Sequence, residues 1–209
     1  SLGPSLLILD NALFTGVQVR YPDGCTVNFA AEGGAYVPDD TRVYDALTAD
    51  GGGYLLKRKD LAEYRFDAEG KLTSIVDRNG NSITLSYQGD KLARAENSAG
   101  RWVAFSYNGD GQVSGIDAPE GRHLGFAYTD ELLTAITDGE GNTTQYQYDG
   151  STHLAAVTTP KGHPSLRMTY DEVGRVIEQI EGATAKTTFA YDDATHTTTM
   201  TDALDNVTT

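Results

Sequence analysis

Seven aromatic residues recur along the chain at an almost constant interval of 20–22 residues. These closing aromatics are Phe66, Tyr87, Tyr107, Tyr128, Tyr148, Tyr170 and Tyr191. A fixed period of this length is the signature of a repeat protein, in which each copy is one small structural unit stacked on its neighbours. The repeat therefore constrains the fold of this chain more than any other feature.

Apolar residues alternate with small or polar residues before each closing aromatic. Ile83, Leu85 and Tyr87 show this pattern in one copy, and Phe126 and Tyr128 show it in the copy two further along. A period of two is typical of a β-strand with one buried face. Because the tyrosines occupy the most apolar positions of the strand, we interpret them as packing residues rather than as a platform for carbohydrate.

A glycine lies five to nine residues before most closing aromatics, after a short polar run. These turn glycines are Gly80, Gly100, Gly121, Gly141, Gly162 and Gly182. Glycine adopts positive φ angles without steric cost, so we predict a hairpin turn at each one. A second turn, which carries Gly70, Gly111 or Gly174 in three copies, follows the aromatic. Each copy is thus predicted to be strand, turn, strand, turn.

The first strand of a copy carries an apolar pair at a spacing of three, as in Leu72 with Ile75 and Leu133 with Ile136. Side chains three apart point to opposite faces of a regular strand. We interpret the spacing as a β-bulge or a strong local twist. A helix is the rival interpretation, but the flanking turns leave too little length for one.

Residues 1–60 lack the period. Residues 17–21 and 26–29 around Pro22-Asp23-Gly24 predict a hairpin, and a short strand is predicted at residues 54–58. We expect an N-terminal β-rich module over residues 1–60 that caps the repeats. Tandem repeats of about 20–22 residues would fill residues 61–209. The chain stops within a copy at Thr209, so we expect a truncated repeat core.

The formal net charge is −14, with only 16 Lys and Arg residues among 209. Nucleic-acid binding needs clustered basic residues, and so does docking on anionic lipid, so neither partner is expected. The apolar run at residues 6–9 is too short to span a membrane and lacks the features of a signal peptide. Cys25 is the only cysteine, which excludes an intrachain disulfide.

No arrangement of residues predicts catalysis. The four histidines, which are His123, His153, His163 and His196, have no metal-ligand spacing with one another or with Cys25. The glycine pattern repeats every 20 residues or so, unlike the nine-residue repeat of calcium-binding β-rolls. We therefore expect no enzyme activity, no cofactor and no metal.

Tyr148-Asp149, Tyr191-Asp192 and the run from Tyr170-Asp171 to Val176 resemble the Rhs/YD-repeat family. The run from Phe66-Asp67 to Leu72 resembles an opening repeat of such proteins. The chain departs from the family pattern at Gln88, Asn108 and Thr129, which replace the Asp after Tyr. It departs again at Asp205, which replaces a turn glycine, although Asp tolerates left-handed φ better than most residues.

The resemblance implies an all-β fold of tandem antiparallel hairpins in a twisted, curved open sheet, similar to toxin-complex C subunits and teneurins. It implies a non-catalytic segment of the hollow β-shell of a secreted bacterial polymorphic toxin. Such a shell encloses a C-terminal toxin domain and takes part in interbacterial competition or attack on host cells. The expected partners are the rest of the shell, the enclosed toxin and components of a secretion machine, such as the type VI secretion system. The alternative is a cell-surface adhesin that recognises glycans or proteins.

Six two-strand repeats would span about 58 Å of sheet at about 4.8 Å per strand. A ring of that circumference is only about 18 Å wide, whereas a toxin domain of about 100 residues is roughly 34 Å across. The chain can supply only part of a shell, which would leave a sheet edge and an apolar face exposed. We therefore expect the isolated chain to self-associate, which sedimentation analysis would detect.

Overall fold

The computed structural model describes residues 5–11, 14–33 and 35–209 and is almost entirely β-structure. The described residues form 21 strands and one 3-10 turn at Pro119–Gly121, and the strands belong to one antiparallel sheet. No helix in these ranges is long and apolar enough to cross a membrane. The prediction of an all-β fold built from consecutive hairpins is confirmed.

The strands are short and follow the chain in order. Their bounds are β1 Ser5–Asn11, β2 Phe14–Arg20, β3 Thr26–Glu32, β4 Ala35–Pro38, β5 Ala46–Asp50, β6 Gly53–Lys57, β7 Glu63–Phe66, β8 Leu72–Val76, β9 Ser82–Gln88, β10 Lys91–Asn97, β11 Trp102–Tyr107, β12 Val113–Ala118, β13 Arg122–Thr129, β14 Leu132–Thr137, β15 Thr143–Tyr148, β16 Leu154–Thr158, β17 Pro164–Tyr170, β18 Val176–Glu181, β19 Ala185–Asp192, β20 Thr197–Thr201 and β21 Val207–Thr208.

The chain divides into two compact units, Ser1–Phe105 and Ser106–Thr209. In the first unit, β2 pairs with β3 around Gly24, which confirms the hairpin predicted there. Strand β6 lies where a strand was predicted near residues 54–58.

The first unit contains a buried hydrophobic core. Its members are Val17, Val19, Phe29, Leu47, Leu56 and Phe66. Phe66, the first closing aromatic, is therefore packed among strands of the N-terminal region. The boundary between residues 1–60 and 61–209 stays a prediction.

The second unit has a different energetic basis, because none of its hydrophobic side chains is buried. Leu133, Ile136, Phe126 and Tyr128 are half-buried in a single layer of sheet. Burial of apolar surface stabilises in proportion to area, so each of these side chains contributes only part of its full value. Backbone pairing and local hydrogen bonds consequently carry more of the stability in this unit.

The apolar spacing of three results from β-bulges, as predicted. Arg65 pairs with Ser74 and Phe66 pairs with Leu72, which leaves Thr73 as an extra residue in β8. The same shift leaves an extra residue directly after Leu133 and directly after Leu154. The extra residue lets Leu72 and Ile75 pair with apolar residues of β7, although they are three apart.

Two kinds of turn alternate along the repeats, and several of each kind share one geometry, whereas Gln88 pairs with Lys91 and Thr129 with Leu132 around two-residue turns. In the mid-repeat turn, the Asp77 N–H donates to the carbonyl of Asn81 at 2.9 Å, and the Gly80 N–H donates to the carbonyl of Asp77 at 3.0 Å. In the post-aromatic turn, Asp67, Lys71 and Gly70 make the equivalent bonds. In the turns of this geometry the fourth residue has a positive φ, which is where glycine is expected.

Thr152 and Asp205 hold this fourth position without glycine. Asp205 has φ 62°, which confirms that the turn survives the replacement of glycine there. Thr152, with φ 69°, donates its N–H to the carbonyl of Asp149 like the glycines at equivalent positions. A β-branched residue with positive φ is strained, so this turn retains a local penalty.

We predict that Thr152→Gly stabilises the second unit. The left-handed conformation costs a non-glycine residue roughly 1–2 kcal/mol. Glycine also gives the unfolded chain more conformational freedom, which offsets roughly 0.4–1 kcal/mol of that stabilisation. Urea denaturation should show a net increase of up to about 1 kcal/mol in the free energy of unfolding.

Ser151→Gly is the matched control, because Ser151 lies in the same turn and does not have a positive φ. This change adds the unfolded-state freedom without relieving strain, so it should destabilise by roughly 0.5 kcal/mol. If both substitutions change stability equally, the strain assigned to Thr152 is absent.

Candidate functional site

The closing aromatics form the most regular set of side chains in the structure. Phe66 is buried in the core of the first unit, and the six tyrosines are half-buried at or near the ends of β9, β11, β13, β15, β17 and β19. The side-chain alternation of each strand places the tyrosine on the same face as the apolar residue two positions before it. The six turn glycines all have positive φ angles, between 60° and 84°.

One hydrogen bond recurs among these tyrosines. The hydroxyls of Tyr87, Tyr128, Tyr148, Tyr170 and Tyr191 donate to the backbone carbonyls of Leu72, Val113, Leu133, Leu154 and Val176, at 2.7–2.9 Å. Each acceptor belongs to the preceding strand, 15 or 16 residues earlier. The bond therefore links neighbouring strands through a side chain.

The acceptor carbonyl lies where regular pairing between those strands has stopped. The first pair between β8 and β9 is Ser74 with Thr84, two residues after the acceptor Leu72. The first pair between β14 and β15 is Ala135 with Gln145, again two residues after the acceptor Leu133. A carbonyl at such a point needs a partner other than the strand ladder. The tyrosine hydroxyl supplies that partner.

Phe66 has no hydroxyl, and its surroundings explain the difference. It is 3% exposed and packs in the apolar core of the first unit. A hydroxyl buried without a partner would be unfavourable at this position. The tyrosines, by contrast, are only partly buried, and burial raises the pKa of Tyr87 and of Tyr170. A raised pKa keeps these phenols protonated, so they remain donors.

Where Asp or Asn follows the aromatic, that residue caps the post-aromatic turn. Asp171 Oδ1 accepts hydrogen bonds from the N–H groups of Val173 and Arg175 at 3.0 and 2.8 Å. Asn108 makes the equivalent pair of bonds with its side-chain oxygen. An uncharged amide therefore serves as well as a carboxylate, which explains how this repeat departs from the Tyr-Asp pattern without losing the turn.

A long polar side chain, five residues after the aromatic, reaches from one repeat to the next. Lys71 Nζ donates to the carbonyl of Gly89 at 2.9 Å and lies 2.7 Å from Asp90 Oδ1. Gln112 Nε2 donates to the carbonyl of Glu131 at 3.1 Å. Each of these side chains fastens one post-aromatic turn to the following one.

Arg175 combines this link with a contact to the next tyrosine. Its guanidinium pairs with Asp171 at 2.8 Å and with Asp193 at 2.6 Å, and it lies 4.4 Å from the centre of the Tyr191 ring. The hydrogen bonds to Asp193 and Asp171 raise the pKa of Arg175. The same position in the preceding repeat is His153, whose ring lies 4.7 Å from that of Tyr170.

Sequence reasoning missed these linking residues. Lys71, Gln112, His153 and Arg175 each follow a closing aromatic by five residues. This fixed offset of five residues from the aromatic could have identified the linking residues from the sequence. Because the four residues differ in chemistry, a search for identical letters does not find it.

The histidines are placed on the surface of strands and turns. His123 Nδ1 lies 2.8 Å from Asp117 Oδ1, and His153 Nδ1 lies 3.1 Å from Asp149 Oδ2. Within the part of the chain that the structure describes, no three His, Cys, Asp or Glu side chains converge as a metal site would require. The expectation that the chain is not an enzyme stays a prediction.

We predict that Tyr148→Phe destabilises by about 1 kcal/mol, because it removes the donor and leaves the Leu133 carbonyl without its partner. Tyr146→Phe is the matched control. Tyr146 lies on the same strand and the same face, and the described residues provide no hydrogen-bond partner for its hydroxyl. Urea denaturation should leave the control unchanged. Equal losses in the two variants would refute the role of the bond.

The turn carboxylates predict an acid-sensitive fold. Hydrogen bonds lower the pKa of several of them. They are Asp77, Asp138, Asp149, Asp171, Asp192 and Asp202. A carboxyl with a lowered pKa in the folded state contributes stability above the unfolded pKa of about 3.9, and this contribution disappears as the pH falls through the folded pKa. The free energy of unfolding should therefore be flat above about pH 5 and should decrease below about pH 4.

Asp138→Asn removes one of these carboxylates and should keep the turn, because the Asn97 side chain accepts the equivalent hydrogen bonds in the mid-repeat turn two repeats earlier. The variant should show a weaker dependence on acid than the parent protein. Asp130→Asn is the control, since the Asp130 carboxylate accepts no hydrogen bond in the described part of the chain. A pH profile that is identical for Asp138→Asn and the parent would contradict the prediction.

Comparisons with known proteins match this repeat architecture. The family described as teneurin YD-shell matches residues 54–165, and the family described as RHS repeat matches residues 170–207. No curated protein matches the sequence.

Solved structures match over most of the chain. A chain of the crystal structure of TcdB2-TccC3-Cdc42 shares the fold at a TM-score of 0.54 and 12% identity, over 92% of this chain and 11% of its own length. A chain of the Photorhabdus luminescens Tc holotoxin pore, with a TccC3 mutation, matches at a TM-score of 0.44 and 13% identity, over 93% of this chain and 14% of its own. The chain thus spans about a tenth of the structures that it matches.

Proposed function

The chain belongs to the Rhs/YD-shell repeat family, and from that premise we propose that it is a non-catalytic segment of a hollow β-shell that encloses a toxin domain. Its role is structural, as a part of a YD-repeat shell. The proposal adds that the complete shell is secreted and carries a C-terminal toxin domain to a competitor or host cell.

The recurrent tyrosine-to-carbonyl hydrogen bond carries this proposal. It recurs along the repeats, from a tyrosine hydroxyl to the equivalent backbone carbonyl of the preceding strand, at 2.7–2.9 Å. A binding or catalytic site gathers different side chains around one point, whereas these side chains each fasten two neighbouring strands. The side chains of Lys71, Gln112 and Arg175 likewise join one repeat to the next. This recurring geometry suits a β-sheet that is lengthened by the addition of hairpins.

Size supports a part of a shell rather than a whole one. The 21 strands of the described residues, at about 4.8 Å each, correspond to about 100 Å of sheet. A ring of that circumference would be about 32 Å across at the backbone. A folded domain of about 100 residues is already about 34 Å across. Further repeats are needed to enclose a toxin, and the rest of the shell is the first partner that we propose.

The exposed apolar side chains support this partner assignment. Leu124, Val173, Ile177 and Met200 are each more than a third exposed in the second unit. Exposed apolar patches promote association. Self-association of the isolated chain therefore stays a prediction, with sedimentation velocity at high micromolar concentration as its measurement.

Protease protection tests the proposal on the full-length protein that contains this chain. We expect the domain after the repeats to resist protease while the shell is intact and to become sensitive in urea at concentrations that unfold the shell. Tyr148→Phe should lower the urea concentration at which protection is lost, and Tyr146→Phe should not.

Digestion of that domain at the same rate with and without an intact shell would refute enclosure. Selective binding of the intact protein to glycans, with no protected domain, would favour the cell-surface adhesin.

A further inference from the structure

The hydroxyl of Tyr170 lies beside a sulfur atom as well as a backbone carbonyl. It donates to the Leu154 carbonyl at 2.8 Å, as the repeat requires, and it lies 3.7 Å from Met168 Sδ. A hydroxyl has one hydrogen to donate, and a thioether sulfur is only a weak acceptor. The carbonyl therefore receives the hydrogen bond, and the sulfur is a weak second acceptor next to the same donor.

Met168 holds the position two residues before the closing aromatic, on the same face of β17 as Tyr170. The equivalent residues of the other repeats with a closing tyrosine are Leu85, Phe105, Phe126, Tyr146 and Phe189. Among these side chains, methionine alone is converted by a mild two-electron oxidation into a polar sulfoxide. The repeat that contains Met168 can therefore change its chemistry in a way that the other repeats cannot.

Met168 is open to a small oxidant. It is half-buried in a single layer of sheet, in a unit where no described hydrophobic side chain is buried. Hydrogen peroxide is an oxidant of suitable size. One peroxide oxygen bonds to the sulfur while the O–O bond breaks, and the other oxygen leaves as water with both protons. The sulfur loses two electrons, and the peroxide is reduced by two.

A sulfoxide oxygen at this position competes with the Leu154 carbonyl for the hydroxyl. The sulfur is already 3.7 Å from the hydroxyl oxygen, so a change of rotamer brings the sulfoxide oxygen within hydrogen-bonding distance. The Leu154 carbonyl lies two residues before Ala156, which makes the first pair of the ladder between β16 and β17. Without the hydroxyl, this carbonyl loses the partner that the ladder does not supply.

We propose that Met168 is an oxidation site that controls the hydrogen bond of Tyr170. Oxidation to the sulfoxide moves the hydroxyl from the Leu154 carbonyl to the sulfoxide oxygen, and so weakens the attachment of β17 to β16. Enzymatic reduction of the sulfoxide reverses the change. The oxidation acts on the fold of the chain, whether or not the shell encloses a toxin domain.

Treatment of the whole chain with hydrogen peroxide provides the test. Peptide mass spectrometry follows the gain of one oxygen at each methionine, and urea denaturation measures the equilibrium constant for unfolding. Met200 is the internal control, because it is 37% exposed and is the only other methionine of the chain. We expect oxidation of the parent protein to raise the unfolding constant about fivefold, as for the loss of one hydrogen bond.

Three variants separate the causes of this effect. Met168→Leu keeps a similar apolar volume and should lose most of the response to peroxide, whereas Met200→Leu should respond like the parent. Tyr170→Phe has no hydroxyl to transfer, so oxidation of its Met168 should have an effect at least twofold smaller than in the parent. This variant distinguishes competition for the hydroxyl from the general cost of a polar group in the sheet.

Three results would overturn the proposal. The first is that Met168 stays unoxidised at a peroxide concentration that fully oxidises Met200. The second is an unfolding constant that does not change when Met168 is fully oxidised, or that changes as much in Met168→Leu as in the parent. The third is an effect of oxidation that differs less than twofold between Tyr170→Phe and the parent.

Discussion

The hydrogen bond from each closing tyrosine to a backbone carbonyl of the preceding strand is the interaction on which the repeat depends. A β-bulge near the post-aromatic turn adds one residue to the first strand, as Thr73 does in β8. The Leu72 carbonyl then lies beyond the last pair of the ladder with β9, and the Tyr87 hydroxyl restores its partner. The bulge and the tyrosine therefore act together, since the bulge leaves a carbonyl outside the ladder and the tyrosine hydroxyl donates a hydrogen bond to it.

The two units differ in how much apolar surface is buried around the closing aromatics. In the first unit a buried core fixes the strands around Phe66, so this repeat dispenses with the hydroxyl. In the second unit no hydrophobic side chain is buried, and the hydroxyls of Tyr128, Tyr148, Tyr170 and Tyr191 act in a thin sheet. Because each bond joins only adjacent strands, stability there is expected to depend on nearest neighbours, as in other repeat proteins.

The sequence predicted the fold because its local signals agree with one another. The period of the closing aromatics, the alternation before Tyr87 and the glycine at position 80 each indicated the same hairpin. The spacing of Leu72 and Ile75 even located the bulge. The partners of the side chains were not predictable, because the carbonyl that Tyr148 contacts depends on register, and the link from Lys71 depends on the distance between turns. The strain at Thr152 was missed, although Thr152 follows Tyr148 by four residues, the offset at which Gly70, Gly111 and Gly174 follow their aromatics.

The contacts around Asp45 lay outside sequence reasoning for a further physical reason. Tyr21, Asp45 and Arg58 come from three separate segments, and none belongs to the repeat period. Within the repeats the same contact recurs from copy to copy, as the tyrosine hydroxyls show. The N-terminal strands have no such period, so a contact such as the one between the Tyr21 hydroxyl and Asp45 Oδ2 has no counterpart elsewhere from which it could be predicted. Departure from the repeat is thus the reason that the contacts in this part of the chain do not follow from the sequence period.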